Sequence, residues 1–153
     1  MRIRLARDED YAAIARIHRQ TIRNVNAKDY TEEQINAWSA RTNAERFRSN
    51  ANKCKRWVAV QDGKIIGFCD HSLDGEFWGL YIHKDFIGKG VGSRLLKVAE
   101  ESLKKMGFKK VHLVSTVTAK NFYKKHGYRV IKKGLHSINN QKLEIFEMVK
   151  TLS

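Results

Sequence analysis

The chain has no proline, and so lacks the commonest marker of a linker between domains. No low-complexity tract or internal repeat takes its place, so the 153 residues read as one domain, 1–153. That length is enough to bury a substantial core. Cysteine is scarce as well. Cys54 and Cys69 are too few for a disulfide framework, and with His71 they make no zinc spacing. Two inert thiols and no metal are expected. No apolar run approaches the roughly 18 residues of a membrane-spanning helix. Met1-Arg2-Ile3-Arg4-Leu5 passes straight into strand-like alternation, without a signal-peptide core. A cytoplasmic protein with no membrane partner is expected. The last shortage is of acid, with 16 Asp and Glu against 30 Lys and Arg, a formal net charge of +14. Between Lys84 and Lys133 only Asp85, Glu100 and Glu101 oppose the bases. Such an imbalance suits a nucleic-acid surface, or a face that draws in a polyanionic small molecule. Aromatic residues are poorly interleaved with the bases for stacking, so the second reading is preferred.

What is present centres on Gly79 to Leu96. Apolar alternation up to Ile82 suits a half-buried strand. Gly88, Gly90 and Gly92 alternate with Lys89 and Val91, so the backbone there can turn tightly. Val91, Leu95, Leu96, Val98 and Ala99 then recur at helical spacing, with Gly107 as the stop. A glycine turn that feeds a helix N-terminus is an anion site, because free N–H groups and the helix dipole point outward together. A dinucleotide fingerprint is excluded, since Ser93 stands where the third glycine belongs and lysines stand where the ribose-binding acid should be. The nucleotide P-loop is absent too.

Elsewhere, Arg2 to Arg7 reads as a strand, and Asp8 as the N-cap of a helix that buries Tyr11, Ile14, Ala15, Ile17, and His18 or Ile22. Thr31 to Gln34 and Thr42 to Glu45 read as capping boxes opening two short helices. Tyr30 and Trp38 suit the core first and the wall of an acceptor pocket second. Asp62-Gly63, Asp74-Gly75 and Asn139-Asn140 separate apolar strands. Thr118 is expected to cap a short helix, Ala119 to His126, ended by Gly127. The whole predicts an α/β protein, a mixed sheet with helices on its faces, parallel only around the central helix.

Two stretches resemble the GNAT superfamily of N-acetyltransferases. Ile87 to Gly92 is similar to that family's pyrophosphate loop, with Gly90 and Gly92 in place and Ile87 where Arg or Gln is usual. Ala119-Lys120-Asn121-Phe122-Tyr123, followed by Gly127-Tyr128, is similar to its second signature, one strand further on. Thr116 departs from the Asn often found three residues before that alanine. The resemblance implies a GNAT-like acyl-CoA N-acyltransferase fold, with acetyl-CoA as co-substrate. Its contacts would be Leu80, Tyr81, Ile82, Ile87, Gly88, Lys89, Gly90, Val91, Gly92, Ser93, Thr116, Asn121, Phe122 and Tyr123. It also implies Tyr123 as the acid for the CoA sulfur and Glu76 as the base for the incoming amine. His71, Asp70, Glu144 or water are the other routes for that proton, and His71 is a further candidate for the acceptor pocket. The function expected is acetyl transfer to a primary amine of a small molecule or protein in a ternary complex. The alternative is a catalytically silent acyl-CoA-binding or basic nucleic-acid-binding module. A homodimer stays open.

Overall fold

The computed structural model describes residues 1–40 and 42–153. Its elements run β1 (Arg2–Leu5), α1 (Tyr11–Asn24), α2 (Glu32–Ser39), α3 (Ala44–Ser49), β2 (Cys54–Gln61), β3 (Lys64–Ser72), β4 (Glu76–Ile82), α4 (Val91–Lys105), β5 (Lys110–Thr116), α5 (Lys120–Lys125), β6 (Arg129–Ile138) and β7 (Gln141–Thr151). Among the described residues the strands form one sheet in the order β1-β2-β3-β4-β5-β7-β6. The expected parallel pairing occurs at β4–β5 alone, across the α4 crossover. Every other neighbouring pair is antiparallel. No helix among the described residues is long and apolar enough to cross a membrane.

Alternation along the strands divides the core between the two faces of the sheet. Trp57, Ala59 and Cys69 pack under α4 and α5 with Leu95, Leu96, Leu103, Phe77 and Met148. Val58 and Phe68, their chain neighbours, point the other way, to Tyr11, Ile14 and Phe47 of α1 and α3. On that second face Ile22, Ile35 and Trp38 meet Ile138 and Leu143 of β6 and β7. Leu95 is fully buried, and its truncation to alanine is worth about 2–5 kcal/mol. Both long-range helices end as their glycines predict. Gly107 and Gly127 take positive φ, and Phe108 and Tyr128 donate back to Leu103 and Tyr123, closing each helix in a Schellman turn.

Three caps differ from expectation, each because a competing partner lies nearer. Asp8 does not cap α1, since a 3-10 turn (Asp8–Asp10) intervenes. Asp10 there receives the Arg7 N–H at 2.7 Å and the Arg4 guanidinium at 2.7 Å. Asn43, not Thr42, accepts the Arg46 N–H that opens α3. Thr42 is buried against His18, 2.7 Å from Nδ1. Thr118 donates instead to Asp29, and Thr116 Oγ1 receives the Ala119 N–H ahead of α5 at 3.2 Å.

Candidate active site

The parallel pairing of β4 with β5 is short. Glu76 faces His112 and Phe77 faces Leu113, and there it stops. β4 continues to Ile82 against β3, and β5 continues to Thr116 against β7. The two strands part beyond Phe77, and their facing edges carry backbone groups with no ladder partner. Into this opening falls a cavity of about 420 Å³.

One end of the cavity is the glycine turn. Gly88 and Gly90 have φ near +80°, and a Cβ at either would meet nothing within 4 Å. These glycines are needed for backbone conformation, not for want of room. Gly90 is the N-cap of α4, and the first helical bond runs from Arg94 to its carbonyl at 3.2 Å. The N–H groups of Val91, Gly92 and Ser93 therefore have no helical partner. With the dipole of a 15-residue helix behind them, they present about half a positive charge to whatever occupies that end. Gly92 serves a different purpose, since a Cβ there would press on the Phe122 ring at 3.3 Å.

The other side is α5. Ala119, Phe122, Tyr123 and His126 line the cavity, which is one face of a helix. Tyr123 is 5% exposed and is held edge-on by Phe77, Phe122 and Tyr128. Burial pushes its phenol well above the usual value, so it stays protonated. His126 joins α5 to the turn. Its Nδ1 donates to the Phe122 carbonyl at 2.8 Å, which leaves Nε2 to accept from the Ser93 hydroxyl at 2.8 Å. Tyr81, on β4, stacks on Phe68, and burial raises its phenol to about 12.

Of the residues expected at a cofactor site, Leu80, Tyr81, Ile82, Ile87, Gly88, Gly90, Gly92, Ser93, Thr116, Phe122 and Tyr123 line this cavity. Three do not. Val91 turns its side chain into the core, leaving its N–H at the helix start. Asn121 is exposed and falls off the lining face of α5. Lys89 lies with its Nζ 5.5 Å over the Phe86 ring.

The proton-accepting candidates also lie elsewhere. Glu76 is exposed at the far, paired end of β4, and its N–H bonds Ser72. His71 is fully buried under α4, with both ring nitrogens engaged by Ser72 and Ser102. Asp70 is buried against Arg56 at 2.8 Å, and Glu144 pairs with Lys133 at 3.1 Å. Among the described residues no carboxylate lines the cavity. Tyr30 and Trp38 pack edge to face in the core, and neither lines this cavity. Tyr30 still reaches toward the site: its hydroxyl accepts the Val117 N–H at 2.9 Å and donates to the Glu144 carbonyl at 3.0 Å.

Sequence reasoning missed His126, Thr21 and Asn26, which line the cavity. His126 sits inside the second motif at a spacing that puts it on the Phe122 face, and that signal could have found it. Thr21 and Asn26 carried none, because only the tertiary packing of α1 brings them here.

A glycine turn on a helix N-terminus, a splayed parallel pair and a buried tyrosine thus open onto one cavity. The family model for the acetyltransferase (GNAT) domain matches residues 26–152. The chain belongs to the GNAT family of acetyltransferases. A GCN5-related N-acetyltransferase from Rhodopseudomonas palustris is 28% identical and superposes with a TM-score of 0.94 over 99% of this chain and 95% of its own. The PaiA N-acetyltransferase of Thermoplasma acidophilum, in complex with coenzyme A, shares the fold at 24% identity and a TM-score of 0.78, over 99% of this chain and all of its own. YncA of Salmonella typhimurium, with acetyl-CoA, does so at 18% identity and 0.75, over 99% and 94%. Among curated proteins none matches the chain in sequence. The mixed seven-stranded sheet with its helices is that of the GNAT fold.

Proposed function

We propose that this GNAT member is an acetyl-CoA-dependent N-acetyltransferase that moves an acetyl group directly to a primary amine of a small molecule or protein. The observation that carries the reading is the shared cavity: the α4 N-terminus and the Tyr123 phenol open onto the same splay. The chemistry of the lining fits acyl-CoA. Backbone N–H groups of Val91, Gly92 and Ser93 suit a pyrophosphate, which needs donors and positive potential but no base of its own. The free edges of β4 and β5 suit the two amides of the pantetheine arm, which can pair with a strand edge as a peptide does. PaiA and YncA, which share this fold, were solved with coenzyme A and with acetyl-CoA, which supports acyl-CoA as the ligand.

Tyr123 and, among the described residues, the absence of carboxylates and cysteines from the lining define the chemistry. Tyr123 holds a proton at its hydroxyl for the sulfur that leaves as the thioester breaks. An amine with a pKa of about 10.4 arrives protonated; with no carboxylate in the lining, its proton leaves by water to the solvent. Direct transfer is favoured because neither cysteine lines the cavity. Cys69 donates its thiol to the Leu95 carbonyl in the core, and burial pushes that thiol up.

Titration calorimetry with acetyl-CoA, and thiol release in the presence of a panel of primary amines, test the reading. Wild type binds and Gly90→Val does not, because a β-branched residue is strained at φ near +81° and the turn must open to relieve it. Equal binding by Gly90→Val would remove the phosphate cradle. Tight, sequence-selective binding of duplex DNA at physiological salt, with no acetyl-CoA bound, would favour the binding-module alternative.

A further inference from the structure

The end of α1 and the 3-10 turn after it (Asn26–Asp29) bridge the two strands where they have parted. Thr21 Oγ1 donates to the Ile82 carbonyl, the last residue of β4, at 3.3 Å. Asn26 Nδ2 donates to Thr116 Oγ1, the last residue of β5, at 3.4 Å. Both residues line the cavity. Asn26 is 5% exposed, and its other amide atom, Oδ1, is buried without any hydrogen-bond partner. Thr116 is itself fixed, because it also receives the Ala119 N–H at 3.2 Å. The amide is therefore clamped at one end and bare at the other, at the wall of the splay.

A buried acceptor oxygen with no donor destabilises the protein that carries it. Such an oxygen is useful where a ligand brings the missing donor. Building on the acyl-CoA reading above, we propose that Asn26 Oδ1 is a recognition group for the pantetheine arm and accepts one of its two amide N–H groups. The phosphates and the thioester offer no N–H donor, and the adenine belongs beyond the phosphates, away from the splay. On the arm itself the one hydroxyl sits next to the phosphates and the two amides nearer the sulfur, so the amides are the donors that pass between β4 and β5. The Thr116 oxygen is already taken up by the Asn26 Nδ2 and Ala119 N–H donors. Asn26, standing on it from another element, presents the amide there instead.

The test compares ligands with and without the arm. Titration calorimetry is run with coenzyme A and with adenosine 3′,5′-bisphosphate on wild type, Asn26→Leu and Asn26→Ala. Leucine keeps the volume and removes the oxygen, and alanine guards against a misfit. In both variants coenzyme A should bind roughly tenfold more weakly, the loss of about one hydrogen bond, while the bisphosphate binds as to wild type. The ligand-free Asn26→Leu protein should melt at or above the wild-type temperature, since a bare buried acceptor is gone. Unchanged coenzyme A affinity would overturn the assignment and leave the oxygen to the acceptor side. An equal loss for both ligands would overturn it as well, as general damage to the cavity. A wild type that binds neither ligand would sink the acyl-CoA reading itself.

Discussion

The role proposed for Tyr123 rests on a single oxygen atom. A free thiol has a pKa of about 8.5, so a departing thiolate gains from a neighbouring proton. Phe77, Phe122 and Tyr128 hold the ring whether or not the oxygen is present, so Tyr123→Phe removes chemistry and leaves packing. It should lower kcat roughly 10²- to 10⁴-fold with acetyl-CoA affinity nearly unchanged. Wild-type turnover by the Phe variant would make Tyr123 a packing residue. A second residue makes a stability prediction. His18 is buried between Thr42, Phe47 and Tyr81, and burial, helped by the Arg46 charge, pulls its imidazole down to about 3. The unfolded chain takes up that proton near pH 6.5, whereas the folded chain holds off until about 3. Below pH 6.5 the unfolded state thus binds more protons, and stability falls with falling pH by up to roughly 1.4 kcal/mol per unit. Asp10, held low by Arg4, adds to the loss only in more acid solution, whereas His71, also pulled down by burial, acts in the same window, so urea melts between pH 6.5 and 5 are run on His71→Gln as well, to separate the two histidines. His18→Gln should flatten that slope; an identical slope would mean that His18 is charged in the fold.

At the scale of elements, the site depends on where α5 leaves the sheet. β5 and β7 pair until Thr116 meets Ile145. The next pair in that ladder would be Val117 with Glu144, and the Tyr30 hydroxyl stands between them, taking the N–H of one and giving to the carbonyl of the other. The strands are wedged apart without losing a hydrogen bond, and the chain turns into the helix that carries Tyr123. Tyr30→Phe leaves both backbone groups without that partner, at about 1–3 kcal/mol. For a chain of this length that is a fall in Tm of roughly 2–12 °C. Because the turn moves, kcat should fall as well, and a variant with wild-type Tm and kcat would show the wedge to be incidental. This junction also marks how far the sequence could be read. Glycine stops, hairpin turns and both apolar faces of α1 and α4 are local patterns, and they stood as expected. The glycine turn and Tyr123, which sit in contiguous motifs, both line the cavity. The roles of Tyr30, Asn26 and Thr21 depend on partners some 60 to 115 positions away in the chain, which no local pattern records. Glu76 lies off the cavity for a related reason. Its strand is right, but the cavity begins only where β4 leaves β5, and the length of that pairing is set by tertiary packing.

For the whole molecule the question is what a formal charge of +14 is for. Lys104, Lys105, Lys109, Lys110, Lys124 and Lys125 are all exposed, so the charge surrounds α4 and α5 rather than lining the cavity between them. The aromatic residues closest to them in sequence face inward. Tyr123 and Tyr128 are buried, and the Tyr128 hydroxyl is bonded to Glu100 at 2.6 Å. A stacking platform for bases is therefore lacking on that surface. Exposed lysines raise the local concentration of any polyanion, whereas the proposed phosphate cradle is made of fixed backbone dipoles, which salt screens less. The two contributions separate in a salt titration. Between about 50 and 500 mM salt, acetyl-CoA should bind only several-fold more weakly, with most of the change in the association rate. Duplex DNA should bind weakly and without regard to sequence, and should lose affinity by orders of magnitude over the same range, as counterion release requires. If acetyl-CoA affinity instead collapsed as steeply as that of DNA, the exposed lysines and not the α4 N-terminus would be holding the phosphates.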